Sequence, residues 1–162
     1  MTPMRIYLAG PEVFLPDARA VGAAKKALCA RMGHEGVFPL DEDGPEEWRA
    51  IAARCESMIR RCDALVANLS PFRGTGADPG TVYELGFARA LGLPVRGYTA
   101  DARELKDRVA PCPHAMAIED FGLAENLMLE GAIAATGGHL VRLHADDPWR
   151  DLAPLATALR QL

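Results

Sequence analysis

The stretch from Asp63 to Ala90, DALVANLSPFRGTGADPGTVYELGFARA, decides the fold. It reads as a strand buried on both faces (Ala64 to Leu69), a polar loop rich in glycine, and an apolar helix (Thr81 to Leu91). One residue breaks the helical pattern. Glu84 stands where the periodicity asks for an apolar side chain, among Gly80, Thr81, Phe87, Ala88 and Leu91. A carboxylate in such surroundings costs several kcal/mol unless it is hydrogen-bonded, so such a group marks a candidate site. The plainer reading is a carboxylate favoured by the positive end of the helix dipole. A solvated helix face, however, would carry more polar neighbours than these.

Working outward, Met4 to Ala9 (MRIYLA) is a short apolar run ended by Gly10-Pro11, as expected for a buried first strand. From Asp17 to Met32, Ala18, Val21, Ala24, Leu28 and Met32 recur at helical spacing. Arg19, Lys25, Lys26 and Arg31 take the other side of that helix, and Gly33 follows as a stop. Gly36 to Leu40 is a second strand, and an acidic loop, DEDGPEE, leads into a helix from Pro45 to Arg61 with proline at its start. Pro94 to Tyr98 is a fourth strand, Glu125 to Ala135 a helix stopped at Gly137-Gly138, and His139 to Leu143 a fifth strand. A helix over Trp149 to Leu162, with Leu152, Leu155 and Leu159 on one face, caps the chain. Strands alternating with helices predict an α/β fold: one domain over residues 1–162, a flavodoxin-like (Rossmann-like) three-layer sandwich around a five-stranded parallel sheet. Such sheets bind ligands at the carboxyl ends of their strands, where the strand order reverses.

Composition narrows the function. A net charge of −4 with no Lys/Arg block argues against a nucleic-acid polymer as partner. Cys29, Cys55, Cys62 and Cys112 form no CxxC pair, and His34, His114, His139 and His144 supply no zinc spacing, so no metal is expected. No apolar run reaches the roughly 20 residues needed to span a bilayer. The expectation is a cytoplasmic chain with reduced thiols and no membrane contact.

The strand-end rule places the loops after strands one and three side by side. They are Gly10-Pro11-Glu12-Val13-Phe14 and Ser70 to Asp78. Neither carries GxGxxG or GxxxxGK[ST], so a phosphate cradle is a weak reading. Asp78-Pro79 is a helix start, with Asp78 either a cap alone or a cap that also faces a ligand. Phe14 and Phe72 are placed to sandwich a planar base, or serve as plain loop anchors. Tyr7 reads as a core tyrosine or as a phenol that orients Glu84. A lone carboxylate without His or Cys partners suits attack on an anomeric carbon, and such chemistry normally uses a second acid. Asp41, Glu42, Asp43 and Glu56 are the candidates.

At these residues the chain resembles the nucleoside 2-deoxyribosyltransferases. Three segments in the same order carry the resemblance: IYLAGPEVF, CDALVANLSPFRGTGADPGTVYELGFARALGLPVRGY and IEDFGLAENLMLEGAI. The resemblance implies exchange of one base of a 2'-deoxynucleoside for another, with no cofactor. It implies Glu84 as nucleophile, Tyr7 as the residue positioning its carboxylate, and Asp78 as a ligand of the sugar hydroxyls. From their place in the two loops, Gly10, Phe14 and Phe72 are also expected at the substrate. Asn126 and Met128 in ENLML would complete the site of a neighbouring subunit, implying a homo-oligomer with shared sites. Cys55 departs from the pattern: relatives tend to carry an acidic or amide residue there, touching the base. Two other readings remain on the same fold, a nucleoside 5'-monophosphate N-glycosidase and a non-catalytic nucleotide-binding domain.

Overall fold

The computed structural model describes residues 2–162. Five strands form one parallel sheet: β1 (Arg5–Ala9), β2 (Glu35–Val37), β3 (Ala64–Asn68), β4 (Val95–Thr99) and β5 (Val141–Arg142). Their order is β2-β1-β3-β4-β5, the expected flavodoxin-like arrangement with the reversal at β1 and β3. The helices are α1 (Ala18–Arg31), α2 (Trp48–Arg60), α3 (Pro79–Ala90), α4 (Leu105–Arg108), α5 (Leu127–Ala134) and α6 (Ala153–Leu159).

Alternation along the strands sorts the core into two halves. Ile6 and Leu8 of β1, with Ala64 and Val66 of β3, face Leu28 and Cys29 of α1 and Leu155, Ala158 and Leu159 of α6. Tyr7 and Ala9, with Leu65 and Ala67, face the other way, onto Met58 and Ile59 of α2, Leu85 and Ala88 of α3, and Leu129 and Ile133 of α5. Tyr7 therefore points toward α3 by strand parity. The pairing of Ile6 to Ala9 with Ala64 to Ala67 brings the two loops beyond them together at one edge of the sheet.

Several boundaries move for local reasons. β2 ends at Val37 because Pro39 has no N–H to continue the ladder, and the Phe38 amide turns to Asp41 Oδ2 at 2.8 Å. α2 starts at Trp48, not Pro45: Glu47 is the cap, accepting from the Ala50 amide at 3.2 Å. The 38–47 segment is thus freed to run over the sheet edge. The last helix is shorter than expected because Asp147 instead folds the chain before it into a turn, accepting from Trp149 N and Arg150 N. Two short elements went unread: a 3-10 turn at Pro11–Phe14 and α4. No helix among the described residues is long and apolar enough to cross a membrane.

Candidate active site

α3 is entered through a well-made cap. Asp78 Oδ2 accepts from the Thr81 amide at 2.8 Å and from its hydroxyl at 2.9 Å, with Pro79 in the first turn. With Leu85 and Ala88 buried against the sheet, Gly80, Thr81 and Glu84 turn along the helix toward the sheet edge. There they line a cavity of about 490 Å³, within the size range of small-molecule sites. Gly10, Val13 and Phe14 enter it from the loop after β1, Leu40, Glu42, Asp43, Gly44 and Glu46 from the loop after β2, and Cys55 from α2.

At the cavity floor the Tyr7 hydroxyl donates to Glu84 Oε1 at 2.6 Å, the length of a charge-assisted bond. Tyr7 is fully buried, so the phenol is fixed by packing and in turn fixes one carboxylate oxygen. Burial pushes the Glu84 carboxyl up from 4.5 to about 7; the Asp78 charge adds to that, while the Tyr7 hydrogen bond pulls it back. Burial and the neighbouring Glu84 charge hold the Tyr7 phenol far above its ordinary range, so it acts as a neutral donor. The Cys55 thiol is also raised, chiefly by burial.

The expected site residues divide. Glu84, Tyr7 and Asp78 come together, with Gly10 and Phe14 at the same cavity. Phe72 does not line it. The Phe14 and Phe72 rings stack on one another, with centroids 5.5 Å apart and planes at 16°, which leaves no slot for a base between them. Trp149 meets the edge of Phe72, and Arg73 lies over both phenylalanine rings. Asn126 caps α5, accepting from Met128 N at 2.9 Å and donating to Glu119 at 2.7 Å. Neither it nor Met128 lines the cavity of its own chain.

The acid candidates separate as well. Glu56 accepts from the Tyr83 hydroxyl, away from the cavity, and Asp41 is held by Phe38 N and Lys26. Glu42 and Asp43 line the cavity, as does Glu46, which sequence reasoning passed over within DEDGPEE.

Glu12 and Lys25 were missed altogether. Glu12 in GPEVF is fully buried and forms an ion pair with Lys25 of α1, 2% exposed. Glu12 Oε1 also accepts from Asn68 Nδ2 at 2.7 Å. Asn68 then binds Ser70 and the Pro148 carbonyl, and Ser70 Oγ accepts from the Ala100 amide. One buried polar network thus ties the ends of β1, β3 and β4 under the cavity wall. Gly10 is required there, since a Cβ would fall 1.9 Å from Glu12 Oε2. The expectation that Lys25 lies on the polar side of α1 is corrected: the buried stripe is Ala18, Val21, Lys25, Leu28, and Ala24 is exposed. That spacing was a readable signal, because Lys25 falls one turn from both Val21 and Leu28.

A parallel α/β sheet with a tyrosine-held carboxylate in a cavity at its carboxyl edge defines an enzyme-like site for a small polar substrate. The family profile described as "Nucleoside 2-deoxyribosyltransferase" matches residues 6–128, and the chain belongs to that family. Uncharacterized protein C191.05c of Schizosaccharomyces pombe is 32% identical, over 82% of this chain and 78% of that one. A 2-desoxiribosyltransferase from Leishmania mexicana is 37% identical, with a TM-score of 0.70 over 78% of this chain and 85% of that one. The 2-deoxyribosyltransferase of Bacillus psychrosaccharolyticus shares the fold at 22% identity and TM-score 0.51, covering 89% and 87% of the two chains. The CMP N-glycosidase BcmB of Clostridium botulinum does so at 16% and TM-score 0.51, covering 98% and 99%.

Proposed function

We propose that the protein transfers the 2-deoxyribosyl group between nucleobases by double displacement through a glycosyl ester on Glu84. The observation that carries this reading is the 2.6 Å Tyr7–Glu84 bond on the cavity floor, in a member of this family. Tyr7 occupies one carboxylate oxygen and leaves the other for C1'. Glu84 Oε2 attacks C1' from the face opposite the base; the C1'–N bond breaks through an oxocarbenium-like transition state, and the base departs with the electron pair and takes up a proton. A nitrogen of the second base then attacks C1' from the original face, loses its proton, and the ester bond breaks, returning the carboxylate. Configuration is retained. Asp78, beside Glu84 in the cavity, suits the sugar hydroxyls. No step calls for a cofactor or a metal, and the setting we propose is the cytoplasm.

Hydrolysis of a 5'-monophosphate is disfavoured by the loop after β1. Its charged residue is the buried acid Glu12, and the nearby cation Arg73 lies over Phe14 and Phe72 and does not line the cavity. Of the two arginines that do line it, Arg19 pairs with Asp43 and Arg54 is held by the Pro45 carbonyl, outside that loop. Incubation of 2'-deoxyinosine, and in parallel of its 5'-monophosphate, with isotopically labelled hypoxanthine discriminates the readings, a monophosphate glycosidase consuming only the phosphorylated substrate. A transferase moves label into the nucleoside with no net reaction. A hydrolase accumulates free deoxyribose without exchange, and a binding domain does neither; either result would refute the proposal.

We also propose that Asn126 and Met128 complete the site of a second subunit. Met128 is 71% exposed and Leu127 beside it 40%, so the start of α5 presents two uncovered apolar side chains. Mixing inactive Glu84→Ala and Asn126→Ala chains should restore activity. Random exchange in a dimer makes half the molecules mixed with one intact site each, about a quarter of wild-type activity. No recovery, with subunit exchange verified by native mass spectrometry, would exclude shared sites.

A further inference from the structure

If Glu84 and Asp78 hold the sugar, the rest of the cavity receives the base. Its walls include the apolar side chains Phe14, Leu40 and Ile51, and its charged groups are Arg19, Glu42, Asp43, Glu46 and Arg54. Three of these are already engaged: Arg19 with Asp43 at 3.4 Å, and Glu42 with Arg61 at 2.5 Å. Glu46 and Arg54 have no ion-pair partner among the described residues. Arg54 is nevertheless held in place. Its Nη1 donates to the Pro45 carbonyl at 3.2 Å, and the guanidinium lies against the bare face of Gly44, where a Cβ would come within 2.5 Å of Nη1. That bond uses one N–H of the five a guanidinium offers, and the side chain is half-buried.

We propose that Arg54 and Glu46 read the edge of the base and select lactam bases over their amino counterparts; this rests on the transferase reading above. The pair offers a rigid donor fork and a carboxylate acceptor. A lactam edge is its complement: O6 and N1–H in hypoxanthine and guanine, O4 and N3–H in thymine and uracil. The oxygen accepts from Arg54, as guanine oxygen does from arginine elsewhere, and the ring N–H donates to Glu46. Adenine and cytosine present the reverse order. Their amino group would face the guanidinium and their ring lone pair the carboxylate, so neither protein group would gain a partner, and the half-buried Arg54 would give up water for a repulsive contact. Sites built to hydrogen-bond one pattern reject the opposite one strongly. At this partly open rim the expected discrimination is on the order of 10- to 100-fold. The Arg54 contact also stabilises the departing lactam, whose negative charge spreads from the ring nitrogen onto the exocyclic oxygen.

Calorimetric titration of the intact protein with free hypoxanthine and free adenine tests this without requiring turnover. Hypoxanthine should bind 10- to 100-fold more tightly. Arg54→Met should lose most of that advantage while adenine affinity stays within about threefold, and Glu46→Ala should narrow the gap in the same direction. Equal affinity of the wild-type protein for the two bases, no measurable hypoxanthine binding, or an Arg54→Met variant that weakens both bases alike would overturn the proposal. A lactam preference in binding without base exchange would overturn the transferase reading alone. Exchange that accepts adenine and hypoxanthine equally would overturn this inference alone.

Discussion

Glu84→Gln is expected to abolish base exchange, by at least about 10³-fold, and at the same time to raise the melting temperature at pH 8. The amide keeps an oxygen for the Tyr7 hydroxyl and removes both the nucleophile and the charge. The stability gain follows from a carboxyl whose pKa is raised on folding from 4.5 to about 7, first by burial. Below pH 4.5 it is protonated folded and unfolded, and imposes no penalty. As the pH rises toward 7, the unfolded chain ionises freely while the folded one holds its proton, so stability drains away. Above 7 the loss is complete, on the order of 1–3 kcal/mol after allowing for the opening to solvent. The Gln variant should therefore melt higher than wild type at pH 8 and level with it at pH 4. The same titration sets the activity profile: kcat/KM should rise about tenfold per pH unit below 7 and flatten above. Exchange by the variant within tenfold of wild type would remove Glu84 from the chemistry. A melting difference that does not change with pH would remove the buried charge as its cause.

Lys25→Met should destabilise the fold by about 3–5 kcal/mol, since it leaves the Glu12 carboxylate buried without its counter-charge. Adding Glu12→Gln should recover most of that loss. Gln keeps an acceptor for Asn68 and carries no charge into the interior. The measurement is a double-mutant cycle by denaturant unfolding. A single Lys25→Met within 1 kcal/mol of wild type, or a double variant no more stable than it, would contradict a tightly coupled pair. Because Gly10 and Phe14 flank the Glu12 turn and line the cavity, the double variant should also show a raised KM with kcat little changed.

The alternation of strands and helices, the cap at Asp78-Pro79 and the out-of-place Glu84 were legible in the sequence because each is a local pattern. A period of two or 3.6, a proline after an aspartate, or a carboxylate among small and apolar neighbours needs only a few residues to be seen. Strand parity and the parallel order then aim Tyr7 at the α3 layer, across 77 residues. Misreadings arose where a partner distant in sequence overrode a local preference. Lys25 is interior because Glu12, from another element, neutralises it, and Phe72 leaves the cavity because Phe14 covers its face. Among the acids, Glu56 was lost to Tyr83, while Glu46 reached the cavity because α2 begins at Trp48 and leaves the segment before it unwound. The sequence determined which strands and helices form and which carboxylate is anomalous. Only the tertiary structure decided which charges meet, because the energy of a buried charge depends on partners that come close only when the chain is folded.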